Sequence, residues 1–169
     1  MEQPIISGVT LDLTEAKVTV EGVPDRPGIA GTLFRSLADA GVNVDMIVQN
    51  TSNDGATDIS FTMPRTDLVE SEAVVAALAG ELEAVGVSHD GEIAKVSLVG
   101  AGMKTNPGVA ATMFEVLADE SVNIEMISTS AIRISVIVAQ SDAERGVRAL
   151  HSAFGLDGDI YAAPLPERQ

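Results

Sequence analysis

Cysteine is absent from the 169-residue chain, which removes disulfides, thiol nucleophiles and Cys-ligated zinc together. Tryptophan is missing as well and aromatic residues reach only 3%, so platforms for stacking bases or sugars lack their usual material. Positive charge is scarce: 10 Lys and Arg stand against 25 Asp and Glu, a formal net charge of −15. The average field of such a chain repels polyphosphate backbones and anionic membrane surfaces, which argues against a nucleic-acid or membrane partner. The two histidines, His89 and His151, lie 62 positions apart without ligand-like spacing, so no metal site is expected. No run approaches the ~18 consecutive apolar residues of a membrane span. The start, Met-Glu-Gln-Pro, lacks the basic region and apolar core of a signal peptide. These features predict a cytoplasmic globular protein with an ordinary balance of 46% hydrophobic and 21% charged residues.

What is present is an internal repeat. Pro27 to Ile47, PGIAGTLFRSLADAGVNVDMI, aligns with Pro107 to Ile127, PGVAATMFEVLADESVNIEMI, at an offset of 80, with 12 of 21 positions identical. Ala16-Lys-Val-Thr-Val20 likewise matches Ala94-Lys-Val-Ser-Leu98, and the second copy carries two extra residues in the loop that follows. The chain reads as a tandem duplication of a unit about 75 residues long.

Each copy carries the signals of alternating strands and helices. The β-branched runs at Ala16–Val23 and Ile93–Gly100 predict strands. Each enters a polar turn and then Pro-Gly, where proline pre-sets φ for a first helical turn. Ile29, Leu33, Phe34 and Leu37, and again Val109, Met113, Phe114 and Leu117, recur with helical spacing. Gly41 is placed to stop the first helix, and Ser121 stands in its position in the second. Strands are expected at Val42–Asn50 and Val122–Ser130, returning at Thr57–Met63 after an Asn53-Asp54-Gly55 turn and at Ile132–Val138. Second helices are expected from about Asp67 to Val85 and from about Asp142 to Phe154, with short strands at Gly86–Asp90 and Asp159–Ala162. The order β-α-β-β-α-β predicts an α+β, ferredoxin-like fold in two copies: an antiparallel sheet with two helices on one face. The repeat does not account for a further strand at Ile5–Thr10.

Catalytic constellations are lacking. There is no supported Ser-His-Asp set, no Walker loop and no HExxH. Gly100-Ala-Gly102 follows a strand, but the third glycine of a dinucleotide fingerprint would fall at Thr105, so loop conformation explains it better. Asp54-Gly55 lacks the remaining ligands of a calcium loop. The histidines read as surface or packing residues, and Met46, Met103, Met113 and Met126 as core.

The strand–turn–Pro-Gly–helix junction, present twice, is the remaining candidate. A helix N-terminus offers unpaired N–H groups and partial positive charge, so it can hold a carboxylate. Asp25, two residues before Pro27, can accept an ammonium or hydroxyl proton, and together these recognise a free α-amino acid. A plain helix cap at Asp25 is the competing reading at this point.

The stretches EAKVTVEGVPDRPGIAGTLFRSLADAGVNVDMIVQN and KVSLVGAGMKTNPGVAATMFEVLADESVNIEMISTSAIRISV closely resemble the regulatory region of aspartokinases. That region is a pair of tandem ACT domains, standing alone in the separately translated β subunit of the actinobacterial αβ enzyme. The resemblance covers Ile5 to Ala162. It implies a chain without catalytic residues or a cofactor of its own. Its partner, the catalytic α subunit, phosphorylates aspartate with MgATP at the head of lysine, threonine and methionine biosynthesis. It also implies a homodimer that binds end-product amino acids between ACT domains and feedback-controls the kinase.

By the same resemblance, threonine sits at the first junction, held by Asp25, Gly28, Ile29, Ala30 and Gln49, with Asn123 and Ile124 of a second chain closing the site. The equivalent junction comprises Met103, Thr105, Val109, Thr129 and Ser130, with Asn43, Val44 and Asp45 opposite, and holds lysine or a second effector in relatives. The family pattern assigns the strand at 5–10 to the second domain, giving one domain at 16–91 inserted into another formed by 1–15 and 92–169. Two departures stand out. Ala131 replaces the glutamate usual in STSEIRISV, and the tail Tyr161-Ala-Ala-Pro-Leu-Pro departs from the usual glycine-rich ending. An unpaired buried ammonium is costly, so threonine sensing is expected to survive and lysine sensing to weaken. A free-standing tandem ACT sensor for another enzyme or a transcriptional response is the alternative.

Overall fold

The computed structural model describes residues 5–51, 54–156 and 161–162. Strand β1 (Ile5–Asp12) comes first. It is followed by β2 (Glu15–Pro24), α1 (Ile29–Asp39), β3 (Ile47–Gln49), β4 (Ala56–Pro64), α2 (Leu68–Leu78) and β5 (Gly86–Asp90). The chain continues through β6 (Ile93–Ala101), α3 (Gly108–Asp119), β7 (Met126–Thr129), β8 (Arg133–Ala139), α4 (Gln140–Ala153) and β9 (Tyr161–Ala162). These elements form two compact units: Thr14–Gly91, and the chain before Thr14 together with the chain from Glu92 onward.

The first unit is a four-stranded antiparallel sheet of order β3-β4-β2-β5. Alternation along β2 sends Ala16, Val18 and Val20 to one face, where β4 adds Ile59, Phe61 and Met63. Ile29, Leu33 and Leu37 of α1 close over them, and all of these lie in one core. Phe34 meets the edge of Phe61 at 5.5 Å between ring centroids.

The second unit is a five-stranded sheet of order β7-β8-β6-β1-β9. The place beside β2 that β5 fills in the first unit is here taken, beside β6, by β1, with Val9 opposite Leu98 and Leu11 opposite Val96. The expected closing strand at Asp159–Ala162 is described only as Tyr161–Ala162, running parallel to Thr10 and Leu11 on the far side of β1; residues 157–160 lie outside the described ones. The pairing of β1 accounts for Gly100. A Cβ there would stand 2.3 Å from the Ile5 carbonyl oxygen, so the glycine of the rejected dinucleotide motif admits the backbone of β1.

Three expectations need correction. The second helix was expected to reach Val85, but α2 ends at Leu78; Gly80 and then Glu83 at φ 52 turn the chain back, while Leu82 inserts into the core. The strands expected at Val42–Asn50 and Val122–Ser130 shrink to β3 and β7. The residues before them are held to the neighbouring strand through backbone bonds such as Asp45 N–H to Thr62 O at 2.9 Å and Glu125 N–H to Ile137 O at 2.8 Å. Asn53 of the expected turn lies outside the described residues, whereas Gly55 has φ 74. The helix stops are as read: Gly41 at φ 79 and Ser121 at φ 57 both follow their helices in the left-handed region.

Candidate functional site

The first junction begins where β2 runs out. Asp25 donates its N–H to Gly55 O at 2.9 Å and Arg26 to Pro24 O at 3.0 Å, pinning the turn against the β3–β4 hairpin. Gly28 then takes φ 99 as the residue before α1, and its carbonyl accepts Thr32 N–H at 2.9 Å. A Cβ at that φ would be strained, so glycine is required here by conformation rather than by space. No side chain caps α1, and its first turn contains no acid. Among the described residues the N–H groups of the first turn of α1 therefore have no side-chain acceptor. The Asp25 side chain has no partner there either, which removes the helix-cap reading.

Ile29 is buried, so its side chain belongs to the core and only its backbone faces outward; Ala30 is half-buried. Gln49 is exposed on the edge strand β3, in register with Ile59, and so lies on the face where the helices pack. Asp25, Gly28, Ile29, Ala30 and Gln49 all belong to the first unit, at the end of the sheet where β2 passes into α1 or on its β3 edge.

The second junction has the same course, and α3 likewise has no side-chain cap, but the turn before it is built differently. The two extra residues are absorbed in a short 3-10 turn, Met103–Thr105, entered through Gly102 at φ 77. The Gly102 carbonyl accepts the Thr105 hydroxyl at 3.1 Å and the Asn106 side-chain amide at 2.8 Å. Val109 N–H donates to Asn106 O at 3.2 Å, and Gly108 is already within α3. Met103 and Val109 are buried in the core of this unit. Thr129 and Ser130 are exposed at the end of β7; Ser130 N–H donates to Arg133 O at 2.8 Å and its hydroxyl accepts Ile132 N–H at 3.3 Å, closing a turn around Ala131.

Asn43, Val44 and Asp45 precede β3, and Asn123 and Ile124 occupy the same place before β7. Both asparagines are exposed, and Val44 and Ile124 are half-buried. The edge strands repeat another feature: Ile47 and Ile127, at equivalent positions, remain 50% and 43% exposed.

The sequence reading missed one contact at the first junction, an ion pair of 2.6 Å between Arg26 and Glu83. Residues 57 positions apart leave no periodic signal, and only the fold brings them together. Among the described residues no cluster of His, Asp or Glu is arranged to hold a metal ion, and no helix is long and apolar enough to cross a membrane.

Comparison with known proteins decides what the duplicated unit is. ACT-domain family models match residues 18–83 and 96–154. The crystal structure of aspartokinase alpha and beta subunits contains a chain 41% identical to this one, with a TM-score of 0.84, covering 89% of this chain and 99% of that one. This chain belongs to the aspartokinase regulatory family. The regulatory subunit of aspartate kinase from Thermus thermophilus, in a ligand-free form, is 39% identical with the same TM-score and covers 89% of this chain and 99% of its own. Aspartokinase from Corynebacterium efficiens is 48% identical over 164 residues, which are 96% of this chain and 39% of that protein. The chain thus spans about two-fifths of the length of that curated relative.

Proposed function

We propose that this chain is the sensor of an aspartate kinase. It binds an end-product amino acid, threonine foremost, at the first junction of an ACT-paired homodimer, and so feedback-controls the catalytic α subunit, where MgATP and aspartate react. The observation that carries the reading is the start of α1, which no side chain caps, with the Asp25 carboxylate in the turn before it lacking a partner among the described residues. The amides of Ile29 and Ala30 hold the effector's carboxylate, helped by the positive end of the helix. Asp25 takes the ammonium, Gln49 hydrogen-bonds the side chain, and Asn123 and Ile124 of the partner subunit close the site. The exposed Ile47 and Ile127 on two edge strands suit a chain that pairs with a copy of itself.

Regulation follows from linkage. An effector shared by two chains favours the dimer arrangement that binds it better, and the kinase follows that shift. Coupling of about 1–3 kcal/mol corresponds to a 5- to 150-fold change in affinity between linked sites. At the second junction lysine binds weakly or not at all, because Ala131 offers no carboxylate for the ε-ammonium. The chain works in the cytoplasm, where the biosynthetic amino acids accumulate.

Calorimetric titration of the chain with threonine, lysine and methionine, repeated with the catalytic subunit present, tests the proposal. Selective, saturable threonine binding is expected. Absence of threonine binding in both preparations overturns it, and tight stoichiometric lysine binding in the presence of threonine overturns the lysine assignment.

A further inference from the structure

Arg26 lies next to Asp25 in the turn that opens the first junction, yet its guanidinium is engaged elsewhere, 2.6 Å from the carboxylate of Glu83. Glu83 stands in the loop between α2 and β5 at φ 52, a left-handed conformation that a side chain disfavours and glycine accepts freely. The loop around it is firmly placed. Leu82 is buried in the core, Ala84 N–H donates to Ala79 O at 3.0 Å, and Val85 N–H donates to Glu21 O at 2.8 Å, next to the bulge of β2. A glutamate therefore occupies a position better suited to glycine, on a loop tied down by backbone bonds on its C-terminal side, with its carboxylate on the one cation adjacent in sequence to Asp25. Both partners are more than half exposed, so the pair contributes little to folding. Its consequence lies in where it keeps the guanidinium.

We infer that Glu83 is a positioning residue for the first junction, holding Arg26 away from Asp25 so that the Asp25 carboxylate stays open to an incoming ammonium. The inference rests on the reading of that junction as an amino-acid site. A guanidinium released from Glu83 has five N–H donors within reach of a neighbouring carboxylate and competes directly with the ligand's ammonium. Arg26 is thus a latent inhibitor of binding that Glu83 restrains, a role no single-residue view of the turn assigns.

The test uses the full chain, with threonine as the probe, and the variants Glu83→Gln, Glu83→Gly, Arg26→Gln and the double variant Arg26→Gln/Glu83→Gln. Glu83→Gln and Glu83→Gly are each expected to weaken threonine binding about 2- to 5-fold, the range of an exposed charge pair. Glu83→Gly should meanwhile melt at or above the wild-type temperature, because glycine relieves the positive φ; a structural role for Glu83 would move both readings together. The double variant should recover threonine affinity to within about 2-fold of wild type, since the competing cation is gone. Unchanged affinity in Glu83→Gln, or failure of Arg26→Gln to rescue it, overturns the inference. A second measurement needs no effector. The Arg26 Nε–H resonance should be insensitive to Asp25→Asn in the wild-type background and shift on Asp25→Asn in the Glu83→Gln background. If that coupling is seen and threonine does not bind, the restraint on Arg26 stands and the effector assignment falls. If threonine binds and the coupling is absent, the effector assignment stands and the role of Glu83 falls.

Discussion

At an offset of 80 the chain writes Pro27-Gly28 and Pro107-Gly108, yet Gly28 adopts φ 99 outside its helix while Gly108 is the first residue within α3. Neither helix has a side-chain cap, but the first turn is short and carries a carboxylate, Asp25, without a partner among the described residues. The second has two more residues, and they spend the local polar groups on one another: the Thr105 hydroxyl and the Asn106 amide both donate to Gly102 O, and Val109 N–H donates to Asn106 O. Duplication copied the helix and its buried face, but the loop lengths diverged. A binding function depends on which N–H and carboxylate groups remain unspent, so it follows the loop rather than the fold. This difference makes the first junction the stronger candidate, while the effectors proposed for the two junctions come from the family resemblance.

The largest expected effect bears on what the copies share. Leu37 and Leu117 are equivalent and fully buried. Leu37→Ala and Leu117→Ala should each cost about 2–5 kcal/mol in denaturant unfolding. A loss below 1 kcal/mol at either site would break the equivalence of the two cores.

Next comes the functional difference. Asp25→Ala should weaken threonine binding by about 10- to 100-fold, as for loss of a hydrogen bond to a charged group, and relieve feedback inhibition without unfolding the chain. Thr105→Ala, whose hydroxyl is already engaged with Gly102 O, should change threonine affinity by less than about 2-fold. Calorimetry on both variants reads the contrast directly, and equal effects would erase it.

The glycines of the two Pro-Gly pairs should separate in stability. Gly28→Ala is expected to cost about 1–2 kcal/mol because of its positive φ. Gly108→Ala, helical and with open space around it, should be neutral or stabilising by at most about 1 kcal/mol. The smallest effect is at the helix ends. Ser121→Gly, at φ 57, should stabilise by about 0.5–1 kcal/mol, whereas Gly41→Ala, at φ 79, should destabilise.

Much of this architecture was legible beforehand, and the reasons differ by element. The helices α1 and α3 were readable because apolar residues at helical spacing must share a face. Strands β2 and β6 were readable because β-branched residues run through both. The end of α2 was misjudged because the alanine-rich run before Gly80 has strong helix propensity and a lone glycine does not by itself end a helix, while burial of Leu82 and the turn at Glu83 were tertiary decisions. Asp25 was legible as a candidate, but its role as cap or open carboxylate was not, since that depends on where the chain places α1 relative to the side chain. The Arg26–Glu83 pair had no signal at all.

By itself, then, the sequence determined the duplication, the α+β unit, both helix stops and the two junctions, because these depend on local periodicity and on residues with restricted φ. Only the tertiary structure decided that β1 takes the place beside β6 that β5 fills beside β2, that Gly100 admits it, and that Arg26 turns to Glu83 instead of Asp25. Those outcomes depend on contacts between residues far apart in the chain, where packing and unpaired polar groups outweigh any local preference.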